Sequence, residues 1–491
     1  MSNQQWKTMD EKDFESMLEN NLSEIPPEEI VSGVTPWKKA MNRILAGMAL
    51  CSITLNALCL NYILPVTGII LLLLGFRALR GENRWFRTCF FITIVRAVYL
   101  FQMLILNTTI LTSTIPTQSV ATVLTVVDAV LLLAVFFCFW RGLQTVQQKV
   151  GLPAHAGGAA ALMVWYAIVY ALAAVQYSGW IVPIAMIIGY IYILRSIYRI
   201  SGELDEAGYS IQATPSRISD GWIVAAIVTV LVAGGVCGYL FGGSYPMHWS
   251  EVPAAEHSKV ETTKARLLEL GFPETVLNDL RAEDIAACED ALQVVVDVTE
   301  VSVGDSGRQE LQVTGIGVQL PGTRERWMLF HYFLWKEDPG FYGTEALQIW
   351  PAYQDMTGTW APDGAVGGRI LYDRGGTTFC APYYALETKD YTADSLFWGV
   401  QTHSDIFASF SMPARGEHYR GYVAYPIAEL QDGSIVSSWL NYTHQTSWLQ
   451  YPAVTAVESR MNNTWSMGGV FKTMQSALQF FPDDENAEVI G

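Results

Sequence analysis

Hydropathy divides the chain at 221–241, an uncharged stretch of 21 residues that can cross a roughly 30 Å hydrocarbon core as a helix. Apolar runs at 44–76, 86–109, 119–141, 157–177 and 180–199 precede it. The first run is too long for one untilted span and is interrupted by Asn56, Asn61 and Pro65, so it reads as two helices, near 40–60 and 62–79, joined by a tight turn. The spacing therefore predicts seven spans. Beyond them, 260–270 has a helical pattern closed by Gly271, and Pro273 suits the first turn of a second helix whose apolar face is Val276, Leu277, Leu280 and Ile285. From Ala291 the period becomes two: Leu292, Val294, Val296 and Val298 fall on one face, with Gln293, Asp297 and Thr299 on the other. Turn signals at 304–307, 321–322, 362–364 and 431–433 separate further short aromatic and β-branched runs.

These patterns predict an α-helical transmembrane bundle followed by a mainly β extracytoplasmic domain, an antiparallel sandwich or curled barrel. The expected boundaries are an acidic tail over 1–37, the bundle over 38–243, a helical stalk over 244–290, the β domain over 291–482 and a disordered end over 483–491. The helical stretch from Glu256 to Ala291 is expected to act as a stalk or cap, its apolar face packing on the sheet.

Charge sharpens the division. Residues 1–244 carry 15 Lys+Arg against 14 Asp+Glu, whereas 245–491 carry 15 against 33. So acidic a domain does not suit nucleic acid, which selects basic surfaces. Basic residues also fall on alternate loops: Arg77, Arg80, Arg84 and Arg87, then Arg141 and Lys149, then Arg195, Arg199 and Arg217. The intervening loops, near 60–61, 112–118 and 177–179, have no charge. The positive-inside rule then puts the N-terminus in the cytoplasm and the C-terminal domain outside.

The first apolar stretch begins near residue 40, behind the acidic tail, so no cleavable leader is expected. Phe14, Met17, Leu18 and Leu22 give that tail an amphipathic pattern, either a solvated segment or a helix for a cytoplasmic partner. Cys51, Cys59, Cys89, Cys138 and Cys237 fall in apolar stretches, and Cys288 and Cys380 stand in the C-terminal half either paired or free. No spacing suggests a metal, and no cofactor is expected.

Three stretches, VTPWKKAMNRILAG, LNYILPVTGIILLLLGFRALR and LELGFPETVLNDLRAEDIAAC, resemble a group of multi-pass membrane proteins of clostridial Gram-positive bacteria with an extracytoplasmic C-terminal domain. The resemblance implies a layout and a habitat, and carries over no catalytic residue.

Arg96 and Asp128 are the ionisable residues deep in the expected spans. On antiparallel neighbouring helices they differ in depth by about 6 Å, at a rise of about 1.5 Å per residue, which an arginine side chain can bridge. They form either a structural clamp, the first choice, or an ion or proton site. Gly234, Gly238 and Gly242 make a stripe of small residues for packing within the bundle or, second, for dimerisation. Pro65 and Pro183 suggest ordinary kinks rather than substrate-site breaks. Outside the spans, His403, Asp405, Arg415, His418 and Arg420 are the densest polar positions and form the candidate ligand surface. The tryptophans of this half serve a core or, second, stack on sugars.

Three functions follow in order: sensing or binding at the envelope, a transporter or channel component, and a surface enzyme directed at carbohydrate or peptidoglycan. The expected partners are the bilayer, a cytoplasmic partner of the tail and an envelope ligand of the β domain.

Overall fold

The computed structural model describes residues 35–482 except 53–58, 115–117, 178, 210, 212–217, 254–255, 303–309, 351–359, 396–398, 431–434 and 462–468. The amphipathic tail pattern and the end at 483–491 lie outside the described residues. The chain forms two compact units, one of residues 1–102 with 119–228, the other of 103–118 with 229–491.

The first unit is helical. Among the described residues, six helices are long and apolar enough to cross a membrane. They are α2 (Leu60–Leu79), α3 (Arg84–Leu106), α4 (Gln118–Lys149), α5 (Gly157–Ala174), α6 (Ile181–Glu206) and α7 (Asp220–Gly242). Ahead of them stands α1 (Pro36–Ser52), described over 17 residues. Close approach of α1 and α2 depends on glycine: a Cβ on Gly47 would meet the Gly68 carbonyl at 2.7 Å, and one on Gly75 would meet Ile44 at 2.5 Å. Trp37, Phe76, Phe86 and Phe139 fill the interior, while Phe91, Val95, Val123 and Val126 point outward, as lipid-facing side chains do. Pro65 lies within α2, but Pro183 occupies the first turn of α6, where its missing N–H would have had no helical partner.

The second unit is built on two antiparallel sheets. The larger runs β1 (Ser250–Glu251), β8 (Thr377–Ala381), β7 (Gly367–Arg374), β11 (Glu417–Glu429), β4 (Arg326–Trp335), β3 (Glu310–Leu320), β2 (Gln293–Ser302), and β6 (Trp360–Pro362) also pairs with β11. The smaller runs β13 (Phe471–Phe480), β12 (Val436–Gln445), β5 (Glu345–Trp350), β10 (Gly399–Phe410), β9 (Ala385–Ser395). One core joins their inner faces, including Trp327, Leu329, Phe333, Leu347, Phe410 and Tyr442. Gly315 and Gly317 on β3 leave slots there: a Cβ on either would stand about 3 Å from Leu478 or Phe480 of β13.

Outside the larger sheet lie three short helices, α8 (Glu261–Glu269), α9 (Glu274–Asp279) and α10 (Ala282–Ala286). Leu267, Phe272, Leu277 and Ile285 pack on Ile316, Phe330 and Tyr422 of the sheet. The stretch expected to act as a stalk or cap, with its apolar face on the sheet, thus packs on the sheet as a cap. This third layer explains why β4, RWMLFHYFLW, is apolar on both faces: Trp327, Leu329 and Phe333 enter the sandwich, and Met328, Phe330 and Tyr332 enter the cap. It also corrects the one-faced reading of β2, where Val295 is buried in the sandwich and Val294 and Val296 lie toward the cap, while Leu292 and Val298 are exposed. Cys288 and Cys380 are free, Cys288 being buried under the cap.

Within the sandwich, His331 is buried with Nε2 2.6 Å from Ser438 Oγ and Nδ1 without a hydrogen-bond partner among the described residues. Burial lowers its pKa from 6.5 to about 4. Because the folded value lies below the unfolded one, its contribution is complete above pH 6.5 and is lost as pH falls toward 4. We expect about 3 kcal/mol to disappear over that window. Melting the β domain of wild type and His331→Gln against pH checks it; parallel profiles would refute the assignment.

Among the described residues, neither sheet core uses any of 103–118 or 229–243. Residues 244–491, which keep β1 and the Met247 and Trp249 side chains packed on the core, are therefore expected without detergent to be monodisperse, strand-rich by circular dichroism and cooperative in melting. Aggregation relieved only by the helices would show that this sandwich needs them.

Candidate functional site

The last turn of α3, the first residues after it and the end of α7 belong to the β-rich unit, and one loop grips them. That loop, 446–455, follows β12 and leads into α11 (Ala456–Met461). At its start Gln445 Oε1 accepts from the Thr344 amide at 2.8 Å and its hydroxyl at 3.0 Å. At its end Thr455 and Glu458 form a capping box: the Thr455 amide donates to Glu458 Oε2 at 2.9 Å, and the Glu458 amide to Thr455 Oγ1 at 3.2 Å.

Between these fixed points the loop meets the helix ends. The Ala453 amide donates to the Asn107 carbonyl at 2.7 Å, and the Tyr451 hydroxyl to the Leu104 carbonyl at 3.2 Å. Both acceptors lie at the end of α3, where carbonyls have no helical partner. Tyr239 on α7 donates to the Gln450 carbonyl at 2.5 Å and packs edge-on against Trp448, 5.3 Å between ring centres. The helix ends also meet each other. The Ile110 amide donates to the Gly242 carbonyl at 2.8 Å. The glycine stripe lies in this contact: Gly234 faces Ile105, Gly238 faces Thr108 and Gly242 faces Thr109, with no room for a Cβ at any of them. A cavity of about 80 Å³ is lined by Thr108, Tyr239, Ser244 and Gln450, whose buried Oε1 has no hydrogen-bond partner among the described residues. It has room for water or a small ion only.

Arg96 and Asp128 meet in the helical unit, Nε to Oδ1 at 2.8 Å and Nη2 to Oδ2 at 3.2 Å, a bidentate pair. The pair is not isolated. Tyr166 and Tyr170 lie within its electrostatic reach, and the Ser52 hydroxyl bonds those of Tyr166 and Tyr190 at 2.7 and 2.8 Å.

The polar residues expected to share one ligand surface are dispersed. His418 and Arg420 lie on the cap face of the larger sheet around Asp373, at 3.2 and 3.1 Å, and Arg420 Nε also donates to Asp279 at 2.8 Å. Arg420 is mostly buried by these acids, so it holds the cap to the sheet. Asp405 belongs to the smaller sheet, where it accepts from Gln348 at 2.7 Å and Tyr391 at 2.8 Å. Arg460 of α11 donates to Gln348 Oε1 at 2.8 Å, linking that row to the helix above it. Arg415 is exposed on a turn. The His403 side chain lies outside the described residues. The spread follows from strand parity and sheet order, since β10 and β11 belong to different sheets. The gripping loop carried only one sequence signal, the Thr455–Glu458 spacing of a capping box.

No family model matches the chain. No curated protein matches it either. Among solved structures, a pore forming protein aligns over 39% of this chain and 91% of its own at 7% identity, TM-score 0.20. The NetB toxin of Clostridium perfringens in its membrane-inserted form aligns over 40% and 100% at 7% identity, TM-score 0.16. AvmM, which catalyzes macrocyclization in alchivemycin A biosynthesis, aligns over 38% and 87% at 12% identity, TM-score 0.16. Likenesses at these scores carry no argument about fold or function.

Proposed function

We propose that the chain is an envelope sensor: a seven-span bundle with a cytoplasmic N-terminus, carrying an extracytoplasmic β domain that reads a ligand or a state of the envelope. The observation that supports this reading is the grip of loop 446–455 on the ends of α3 and α7. A domain tethered for display alone needs one flexible connection. Here the domain donates to two carbonyls at the end of α3 and accepts from the Tyr239 hydroxyl of α7, and α3 runs unbroken from Leu104 back to Arg96. A shift of the loop would therefore load the helix that carries the intramembrane ion pair.

The relay is tested by hydrogen exchange on the full-length protein in detergent. Asp128→Asn should speed exchange at 446–455 and leave β4 and β11 unchanged. Unaltered exchange in the loop would remove the relay from the proposal. Orientation has its own test. In a background without native cysteines, Ser434→Cys should react with a membrane-impermeant thiol reagent in intact cells and Ser23→Cys should not. Labelling of both would overturn the topology.

A further inference from the structure

One end of the helical unit contains a cavity of about 260 Å³ with a marked imbalance of charge. Lys39 and Arg43 from the start of α1 line it, with Arg77 and Arg80 from the end of α2 and Asp220 from the start of α7. Arg43 donates to Asp220 Oδ2 at 2.7 Å and Arg77 to Oδ1 at 2.9 Å, so one carboxylate serves two guanidinium groups. Arg77, largely buried, also bonds the Ile218 carbonyl. The Lys39 and Arg80 side chains have no hydrogen-bond or ion-pair partner among the described residues; Arg80 lies 5.4 Å from the Phe90 ring centre. Four cations thus face one anion. Several guanidinium N–H groups and an ammonium remain open to a guest, and arginine forks match the oxygens of phosphate.

Position narrows the guest further. The lining residues stand where the apolar stretches of α1, α2 and α7 begin or end, the level at which lipid phosphates lie in a bilayer. We infer that this cavity binds a phosphate oxyanion, supplied by the headgroup of an anionic phospholipid or as free phosphate. A net positive cavity at the edge of hydrocarbon is costly when empty of anions, so a bound phosphate also locks α1, α2 and α7 together.

The test uses full-length protein in neutral detergent, with bound lipid counted by native mass spectrometry. Phosphatidylglycerol is expected to bind at least about tenfold more tightly than zwitterionic phosphatidylcholine. Lys39→Gln with Arg80→Gln should weaken it by about tenfold or more, while Arg141→Gln, outside the cavity, should not. The double variant keeps the Arg43–Asp220–Arg77 bridge, and its melting without lipid checks that it is folded. Displacement of the lipid by millimolar inorganic phosphate, with the same sensitivity to the double variant, would support the site and assign it to the free anion. Equal binding of the two lipids, or unchanged binding by the double variant, would overturn the proposal. So would phosphatidylglycerol binding that appears only after residues 1–34 are removed, because the chain's own acidic segment would then be the occupant.

Discussion

Asp128→Asn is expected to destabilise the helical unit by about 3–5 kcal/mol, because it leaves the Arg96 guanidinium without its counter-charge. The pair is bidentate, and the Arg96 side chain is only 13% exposed. An amide can accept from one guanidinium N–H but offers no charge, and its NH2 group faces another donor. Adding Arg96→Gln to Asp128→Asn should recover much of the loss, since two amides can bond each other without a stranded ion. Thermal melting of the four proteins in one detergent gives the cycle. If the losses simply add, the two residues do not act as a pair.

Arg369→Ala is expected to cost a similar amount, about 3–5 kcal/mol, in the β-rich unit. Its guanidinium holds Glu256 through both oxygens at 2.8 and 3.1 Å, the Asp279 carbonyl at 2.9 Å and the Leu280 carbonyl at 3.1 Å. The Arg369 side chain is only 5% exposed, so its removal leaves these acceptors in a site poorly reached by water. Arg369→Lys should rescue little, because one ammonium cannot reach a carboxylate and two carbonyls in that fork. Hydrogen exchange should rise over 261–286 and remain low in β3 and β4. Denaturant melts showing a loss under about 1 kcal/mol would mean that apolar packing, not this arginine, holds the cap.

The sequence carried the helices and strands better than it carried what covers them. Six of the seven expected spans were legible because hydrocarbon demands long uncharged runs; the first, described over 17 residues, is not among the helices long and apolar enough to cross. Arg96 and Asp128 were legible because few ionisable residues lie so deep, and their spacing brings one within reach of the other. The three layers of the second unit were harder to see. A strand buried on both faces loses its two-residue alternation, so β4 shows apolar content but not its neighbours. The cap helices are short and amphipathic, which fits a stalk as well as a layer on a sheet. The dispersal of Asp405 from Arg420 could not be read at all. Fifteen positions apart in the chain, they belong to strands of different sheets, and pairing order is set by long-range contacts that no local pattern records.

The slots on β3 set a timetable for biosynthesis. Gly315 and Gly317 make room for Leu478 and Phe480, so β3 is translated more than 150 residues before the side chains that fill it. At ordinary elongation rates that interval is on the order of ten seconds. Until β13 is made, the Trp327 face is an open greasy surface in a nascent chain whose bundle is already being inserted. A premature stop before Phe471 would leave that surface uncovered for good, marking the truncated product for chaperone capture or proteolysis rather than for a partly working protein.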